Sequence, residues 1–234
     1  METKHNYNII GDIHGRKGWK ELVKDNCINI CVGDYLDPYE WMSYEDLLQN
    51  FRDIIAYKQA HPETVLLYGN HDMHYICDIE RSSRYDWSHV VQNKQLFEDA
   101  KPLFHGIAYA INDEVLVTHA GVTKEWYEKN FGEYHGEPLS EVAEKINNLW
   151  QHNIQEFAFT TNATSYSDTY GESPTHSPVW IRPWVLAEHN LFAGTSIKQV
   201  FGHTQMEDIT TVSDNLICID CLGTKVKSYN MVNR

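Results

Sequence analysis

The sequence of 234 residues predicts an α/β fold, and three observations carry the prediction. Apolar runs of strand length alternate with segments whose apolar side chains recur at helical spacing. Five of the apolar runs end in a short motif that places Asp, Asn or His beside glycine. No stretch rich in proline or glycine divides the chain, so we expect a single domain over residues 1–234.

The first half of the chain alternates strand and helix signals. Its predicted strands are Asn8–Ile10, Cys27–Val32 and Thr64–Tyr68. A helix is expected over Arg16–Lys24, and a longer one after Ser43, because Ser43 and Asp46 match the pattern of a helix-start cap. This alternation is typical of βα units.

The second half begins with a predicted β-hairpin and ends in short strands. The hairpin strands are Ile107–Ile111 and Val115–Val117, the helices Thr123–Asn130 and Pro138–Phe157, and the later strands Lys198–Phe201, Ile209–Val212, Leu216–Ile219 and Lys225–Tyr229. Between them, Thr160–Ser177 is rich in Ser, Thr, Gly, Asn and Tyr. A loop of this length in a compact domain is usually functional, so we expect it to form an active-site rim.

Composition excludes several classes of partner. The net charge of −14 argues against a nucleic acid polymer, because binding to a phosphate backbone needs a basic face. No apolar run is long enough to span a membrane, and the polar start has no apolar leader. The five cysteines are odd in number and lie mostly in apolar runs, which is typical of buried free thiols. We therefore expect a cytoplasmic protein that does not contact membranes.

The five motifs are the main indication of function. In chain order they are Gly11–Gly15 (GDIHG), Gly33–Asp37 (GDYLD), Gly69–Asp72 (GNHD), Thr118–Gly121 (THAG) and Gly202–Thr204 (GHT). Because each follows a strand-type run, their side chains are expected to meet at the strand ends, where open α/β sheets place their chemistry. Their residue types predict one site for two metal ions.

The predicted ligands divide into two sets. Asp12 and His14, two apart, would point the same way from an extended segment and hold one ion, and Asp34 could bridge a metal pair through its two carboxylate oxygens. Asn70, His119 and His203 would complete the second ion's shell. Mixed oxygen and nitrogen ligands suit Mn²⁺, Fe or Zn²⁺ better than Ca²⁺, and we expect Mn²⁺.

The neighbour of one ligand is a candidate acid. If Asn70 faces the metals, His71 must project elsewhere, towards the space of a substrate. Asp37 could accept a hydrogen bond from His71 and keep the imidazole protonated and oriented. A bridging water or hydroxide, acidified by two cations, would then attack phosphorus while His71 protonates the leaving oxygen.

These motifs, in this order from Asp12 to His203, resemble the calcineurin-like metallophosphoesterase superfamily. The resemblance is to the branch of phosphoprotein phosphatases, phage-type phosphatases and symmetrical diadenosine tetraphosphatases. It implies a four-layer αββα sandwich, in which two mixed β-sheets are flanked by helices. It also implies that Asp12, His14 and Asp34 hold one metal, that Asp34, Asn70, His119 and His203 hold the other, and that His71 with Asp37 forms the acid dyad.

One position departs from that branch. Its second motif usually continues GD-x-x-DRG, whereas here Asp37 is followed by Pro38, so the arginine that grips phosphate is missing. Arg182 resembles a second substrate arginine of bacterial and phage members and is the preferred substitute. Arg16 is a further predicted substrate-binding residue, and Arg81 and Arg84 are weaker alternatives.

Three functions follow from these observations. The first is a metal-dependent phosphatase that hydrolyses phosphomonoesters, with a phosphoprotein or a small phosphoester as substrate. The second is a hydrolase of dinucleotide polyphosphates, for which some of the seven tryptophans could stack nucleotide bases. The third is a catalytically silent, metal-dependent binding module, which Pro38 keeps open.

Overall fold

The computed structural model describes residues 5–77, 83–162, 168 and 170–232. Within these residues the strands are β1 (Asn6–Ile10), β2 (Cys27–Cys31), β3 (Val65–Leu66), β4 (Ala108–Ile111), β5 (Val115–Thr118), β6 (Lys198–Phe201), β7 (Thr210–Ser213), β8 (Leu216–Cys218) and β9 (Tyr229–Met231). The α-helices are α1 (Trp19–Leu22), α2 (Tyr44–Ala60), α3 (Asn70–Ile76), α4 (Val90–Ala100), α5 (Lys124–Phe131), α6 (Leu139–His152), α7 (Phe159–Asn162) and α8 (Pro183–Glu188).

The strands form two mixed sheets. The first has the order β3-β2-β1-β9, with β9 antiparallel to the parallel strands β1, β2 and β3. The second has the order β4-β5-β6-β8-β7, in which β5, β6 and β8 run parallel and the edge strands β4 and β7 run antiparallel. The predicted α/β fold with two mixed sheets flanked by helices is confirmed.

Successive side chains along a strand face either the other sheet or the outer helices. In β1, Ile9 joins an apolar cluster that also contains Val117 and Val200 of the other sheet, whereas Ile10 joins a different cluster that includes residues of α2. Successive strand residues face opposite sides, so the two sheets pack face to face and each has helices on its outer side. Burial of a side chain such as Ile9 contributes about 1.5–3 kcal/mol to stability.

This topology explains why the motifs meet. Strands β1, β2 and β3 are parallel, and so are β5 and β6; each of these five strands leads directly into one of the motifs. The carboxyl ends of the parallel strands of a sheet lie at one edge, so the loops that carry the polar residues are neighbours.

Several elements differ from the sequence predictions. Helix α1 is shorter than predicted, and the predicted helix Pro138–Phe157 is interrupted at Asn153, after which Ile154–Phe157 forms a 3₁₀ turn. Helices α3 and α4 were not predicted, because the segment carrying the third motif has no clear apolar period. The last strand is Tyr229–Met231 rather than Lys225–Tyr229, and it pairs with β1 in the first sheet.

The predicted rim Thr160–Ser177 lies partly outside the described residues, which omit positions 163–167 and 169. Its first residues belong to α7, and Asp168 accepts hydrogen bonds from the backbone N–H groups of Gly171, Glu172 and Ser173. All five cysteines are free thiols, as expected. Among the described residues, no helix combines the length and apolarity needed to cross a membrane.

Candidate active site

Four predicted site residues have left-handed backbone. His14, Asp34, Asp37 and His203 have φ values of +43°, +56°, +57° and +68°. Such values are uncommon for residues other than glycine and are concentrated where a loop must aim a side chain. The expectation that Asp12 and His14 share an extended segment is therefore wrong, because the chain turns at His14.

The Asp34 carboxylate lies at the centre of the cluster. Its Oδ2 atom is 3.3 Å from His14 Nε2 and 3.5 Å from His119 Nε2, and its Oδ1 atom accepts a hydrogen bond of 2.9 Å from the backbone N–H of His71. Only 2% of Asp34 is exposed. One oxygen thus faces imidazoles from two different loops, which is the placement expected of a bridging ligand.

Asn70 joins the two remaining histidines to this group. Its Oδ1 atom lies 2.9 Å from His119 Nε2 and 2.9 Å from His203 Nδ1. The backbone N–H of His203 donates to both carboxylate oxygens of Asp12, at 3.1 and 3.0 Å. The structure therefore brings all six predicted ligands into one buried cluster.

Backbone carbonyls fix the proton positions on the three imidazoles. His14 Nδ1 lies 3.0 Å from the carbonyl oxygens of Leu36 and Asp37, and His119 Nδ1 lies 2.9 Å from that of Val32. A carbonyl oxygen only accepts, so these nitrogens carry the protons. The Nε2 lone pairs of His14 and His119 are left facing Asp34.

His203 is oriented in the same way from its other nitrogen. Its Nε2 lies 3.0 Å from the carbonyl oxygen of Trp180, which leaves the Nδ1 lone pair towards Asn70 Oδ1. Lone pairs of His119 and His203 thus face an amide oxygen with no proton between them. A cation satisfies this arrangement of acceptors, and orientation by a carbonyl is typical of histidines that bind metals.

The buried carboxylates also favour a bound cation. Burial raises the pKa of Asp12, and the negative charges of Asp220 and Asp34 raise it further. Several acids this close in a buried site are stabilised by a positive charge, so the donor set fits metal ions.

A second buried group contains the predicted acid dyad. His71 Nδ1 lies 2.8 Å from Asp37 Oδ2, His74 Nε2 lies 2.7 Å from the same oxygen, and the Tyr75 hydroxyl donates to Asp37 Oδ1 at 2.6 Å. Asp37, His71 and His74 could together hold an ion. However, both oxygens of Asp37 already have partners, and the guanidinium of Arg84 lies beside His71. These contacts favour a hydrogen-bonded network over a third metal.

The pKa of His71 differs from the expectation. Burial lowers it and outweighs the opposing effects of Asp34 and Asp37, so Asp37 does not hold the pKa of this imidazole above its usual range. Burial likewise opposes ionisation of Asp37, but hydrogen bonds from His71 and His74 prevail and lower the pKa of Asp37. Asp37 therefore remains an anion that orients the His71 ring.

Asp72 braces the two loops that carry Asp34 and Asn70. Its Oδ2 accepts from the backbone N–H groups of Asp34 and Gly69 at 2.9 and 2.8 Å, and its Oδ1 accepts from that of Tyr35 at 3.0 Å. Asp72 is fully buried. Helix α3 begins at Asn70, which places the amide and the His71 ring on different sides of its first turn.

Comparisons with known proteins agree with this geometry. A model of the calcineurin-like phosphoesterase family matches residues 6–210. The chain belongs to that family. No curated protein matches the sequence significantly.

Among solved structures, this phosphoesterase fold is similar to a protein serine/threonine phosphatase from Saccharomyces cerevisiae with similarity to human phosphatase PP5. The TM-score is 0.54, the sequence identity is 15%, and the match covers 93% of this chain and 67% of the yeast chain. The likeness supports the fold. Members of the family depend on two metal ions, and Asp12, Asp34 and His119 form a buried candidate cluster of metal ligands among the described residues.

The two arginines predicted to bind substrate have different hydrogen-bond partners in this phosphoesterase fold. Arg182 Nε donates to the carbonyl oxygen of Tyr170 at 2.6 Å and its Nη1 donates to Thr204 Oγ1 at 3.1 Å. Arg16 Nη2 donates to Glu40 at 3.3 Å, while its Nε and Nη1 atoms are buried. Both remain predictions as substrate residues. Arg81 lies outside the described residues.

Asp220 is a site residue that the sequence predictions missed. It is 1% exposed, and burial raises its pKa to about 6 in spite of the nearby charges of His14 and Arg16. A signal was available, because Asp220 follows the strand-type run Leu216–Ile219 just as the motif residues follow theirs. Asp220 was missed because it stands between Ile219 and Cys221, whereas the five motifs were recognised by Asp, Asn or His beside glycine.

Proposed function

We propose that this member of the family is a metallophosphatase that hydrolyses phosphomonoesters and uses two divalent cations, with Mn²⁺ preferred. The observation that carries the proposal is the convergence of the lone pairs of His14, His119 and His203 on oxygens of Asp34 and Asn70, beside an independently oriented His71. Metal ligands and an acid are thus adjacent but distinct, as hydrolysis of a phosphoester requires.

The proposed ligands are Asp12, His14 and Asp34 for one cation, and Asp34, Asn70, His119 and His203 for the other. Two cations bound there would lower the pKa of a water molecule and offset the charge that develops on the phosphoryl oxygens. The protein contributes rigidity, because Asp72 fixes the loops and backbone carbonyls fix the imidazoles.

His71 is the proposed general acid, and Asp37 is the residue that positions it. Asp37 accepts the Nδ1–H of His71, so the Nε2 atom is the one directed away from this pair and able to serve a leaving oxygen. Burial lowers the pKa of the imidazole, and the negative charge of a phosphomonoester beside it would raise that pKa again. The ring therefore gains its proton when substrate is bound, and positioned acids of this kind contribute about 10²–10⁴-fold to rate.

A second candidate function is hydrolysis of dinucleotide polyphosphates. A groove of about 550 Å³ begins at His14 and is lined by Lys17 and Trp41 among other residues. The Trp41 side chain is 93% exposed, which leaves its indole face available for a base. A basic and an aromatic side chain beside the metal centre favour a substrate that extends beyond the phosphoryl group.

The test is a substrate panel with the Mn²⁺-loaded chain. p-Nitrophenyl phosphate, a phosphoserine peptide and diadenosine tetraphosphate are compared, with wild type alongside His71→Asn. Turnover of the first two with a loss of about 10²–10⁴-fold in His71→Asn is expected. Selective cleavage of diadenosine tetraphosphate would favour the second function.

The panel also tests the third hypothesis, a silent binding module. His152→Asn serves as the matched control, because His152 is exposed at the end of α6. No cleavage of any phosphoester by wild type would support the binding module and contradict the proposal. Equal rates for wild type and His71→Asn would contradict the role of His71.

A further inference from the structure

Pro38 leaves no arginine beside Asp37 in the sequence, but the fold brings one there from another segment. Arg84, which lies before α4, donates from its Nε to the backbone carbonyl oxygen of Asp37 at 3.1 Å. Its Nη2 lies 3.1 Å from Nε2 of His71. One guanidinium thus touches the residue next to Pro38 and the atom from which the proposed acid delivers its proton.

The Arg84 side chain is held in this place by further contacts. Its guanidinium lies over the ring of Tyr39, 3.6 Å from the centroid, and that ring also contacts the imidazole of His14 edge-on at 4.8 Å. Cation–π contacts favour a planar, parallel guanidinium and restrict its motion. The side chain is half-buried, so its charge is only partly screened by water.

The backbone at Arg84 has φ +63°, in the left-handed region. This conformation costs free energy for a residue with a Cβ and is retained where neighbouring contacts over-determine it. The contacts that do so here are the polar and aromatic contacts to Asp37, His71 and Tyr39. The segment is therefore arranged around the position of the guanidinium.

We propose that Arg84 binds the phosphoryl oxygens of the substrate and holds them against His71 and the metal centre. The described hydrogen bonds use two of the five N–H groups of the guanidinium. A phosphoryl oxygen next to His71 Nε2 lies within reach of Nη2, which exchanges its contact with the ring for a charge-assisted one with the anion. His71 Nε2 is then released to hold the proton for the leaving oxygen.

Arg84 and Arg182 are held by different neighbours in the site. Arg182 belongs to the His203 side, where its charge contributes to the lowered pKa of His203 after burial, and its Nε and Nη1 are bound to Tyr170 and Thr204. Arg84 belongs to the side of the acid. It is therefore the arginine placed to hold a phosphoryl oxygen beside His71.

The inference rests on the proposed function, so its test uses binding as well as turnover. Affinity for inorganic phosphate is measured by calorimetry on the Mn²⁺-loaded chain, together with manganese content and kcat and KM for p-nitrophenyl phosphate. Arg84→Ala is expected to weaken phosphate binding about 10- to 100-fold and to raise KM by a similar factor, because the loss of a hydrogen bond to a charged group weakens binding by about that much. Manganese content is expected to stay at the wild-type level.

Two further variants keep the result interpretable. Arg84→Gln keeps an N–H donor for the carbonyl oxygen of Asp37 but removes the charge, so it too should weaken phosphate binding at unchanged manganese content. Arg52→Ala, an exposed arginine on α2, should match wild type.

The outcomes separate this inference from the proposed function. Phosphate affinity within twofold of wild type in Arg84→Ala or Arg84→Gln overturns the role of Arg84, and so does a wild-type chain that binds no phosphate. A wild type that binds phosphate through Arg84 but cleaves no phosphoester contradicts only the proposed function.

Discussion

Replacement of Asp72 by alanine tests the claim that one buried carboxylate holds the two loops of the metal centre together. The change removes the acceptor of three backbone N–H groups, those of Asp34, Tyr35 and Gly69, in a fully buried position. Each buried donor left without a partner costs about 1–3 kcal/mol, so the sum is roughly 3–9 kcal/mol. Because the loops can relax around the change, we expect the free energy of unfolding to fall by about 4 kcal/mol, which lowers the melting temperature by about 8–16 °C.

A graded series makes this prediction specific. In Asp72→Asn the amide oxygen can still accept from Asp34 and Gly69, and only the donor of Tyr35 is lost, so we expect a loss of about 1–2 kcal/mol. Asp99→Ala, on the exposed face of α4, should stay within about 0.5 kcal/mol of wild type. Urea unfolding with a chelator present measures all three without a contribution from bound metal. If the free energy of unfolding of Asp72→Ala lies within about 1 kcal/mol of wild type, or its loss does not exceed that of Asp72→Asn, Asp72 does not hold the loops together.

Three further changes have expected outcomes. A Cβ at Gly202 would collide with Oδ1 of Asp12, so Gly202→Ala should weaken manganese binding at least about tenfold by titration, and unchanged affinity would contradict this. Burial would raise the pKa of Glu137, but Lys145 outweighs it and lowers the pKa from 4.5 to about 2. The stability that Glu137 contributes is thus present above pH 4.5 and lost as the pH falls towards about 2. In urea unfolding, the difference in free energy of unfolding between wild type and Glu137→Gln should therefore shrink over that range, and growth of the difference would contradict this. Ser43→Ala removes the side-chain cap of α2 and should cost about 1 kcal/mol, and an unchanged urea midpoint would refute the cap.

The sequence predicted the strand-end placement of the polar residues because that placement follows from a local pattern. Each motif comes directly after an apolar run, and parallel pairing then brings the loops together whatever the details of the helices. The hairpin before His119 and the cap at Ser43 were predicted for the same reason. Both depend on residues only a few positions apart.

Features that depend on distant contacts were not predicted. The left-handed turn at His14 is imposed by hydrogen bonds of its backbone and ring to the second loop, and helix α3 is started by the Asp72 contacts rather than by an apolar period. Arg84 was only a weaker alternative among the predicted substrate arginines, because it lies in a segment without regular structure and its proximity to His71 arises only from the fold. The lowered pKa of His71 follows from burial, which residue spacing does not encode.

The proposed dinuclear centre requires that Asp34 be shared by two metal ions. The most direct measurement is the manganese content, by elemental analysis, of wild type and Asp34→Asn after loading with Mn²⁺ and removal of the excess. Two ions per chain in wild type and loss of both in Asp34→Asn are expected, because one carboxylate oxygen faces both His14 and His119. If Asp34→Asn retains two ions, or wild type binds none, Asp34 does not bridge two metal ions.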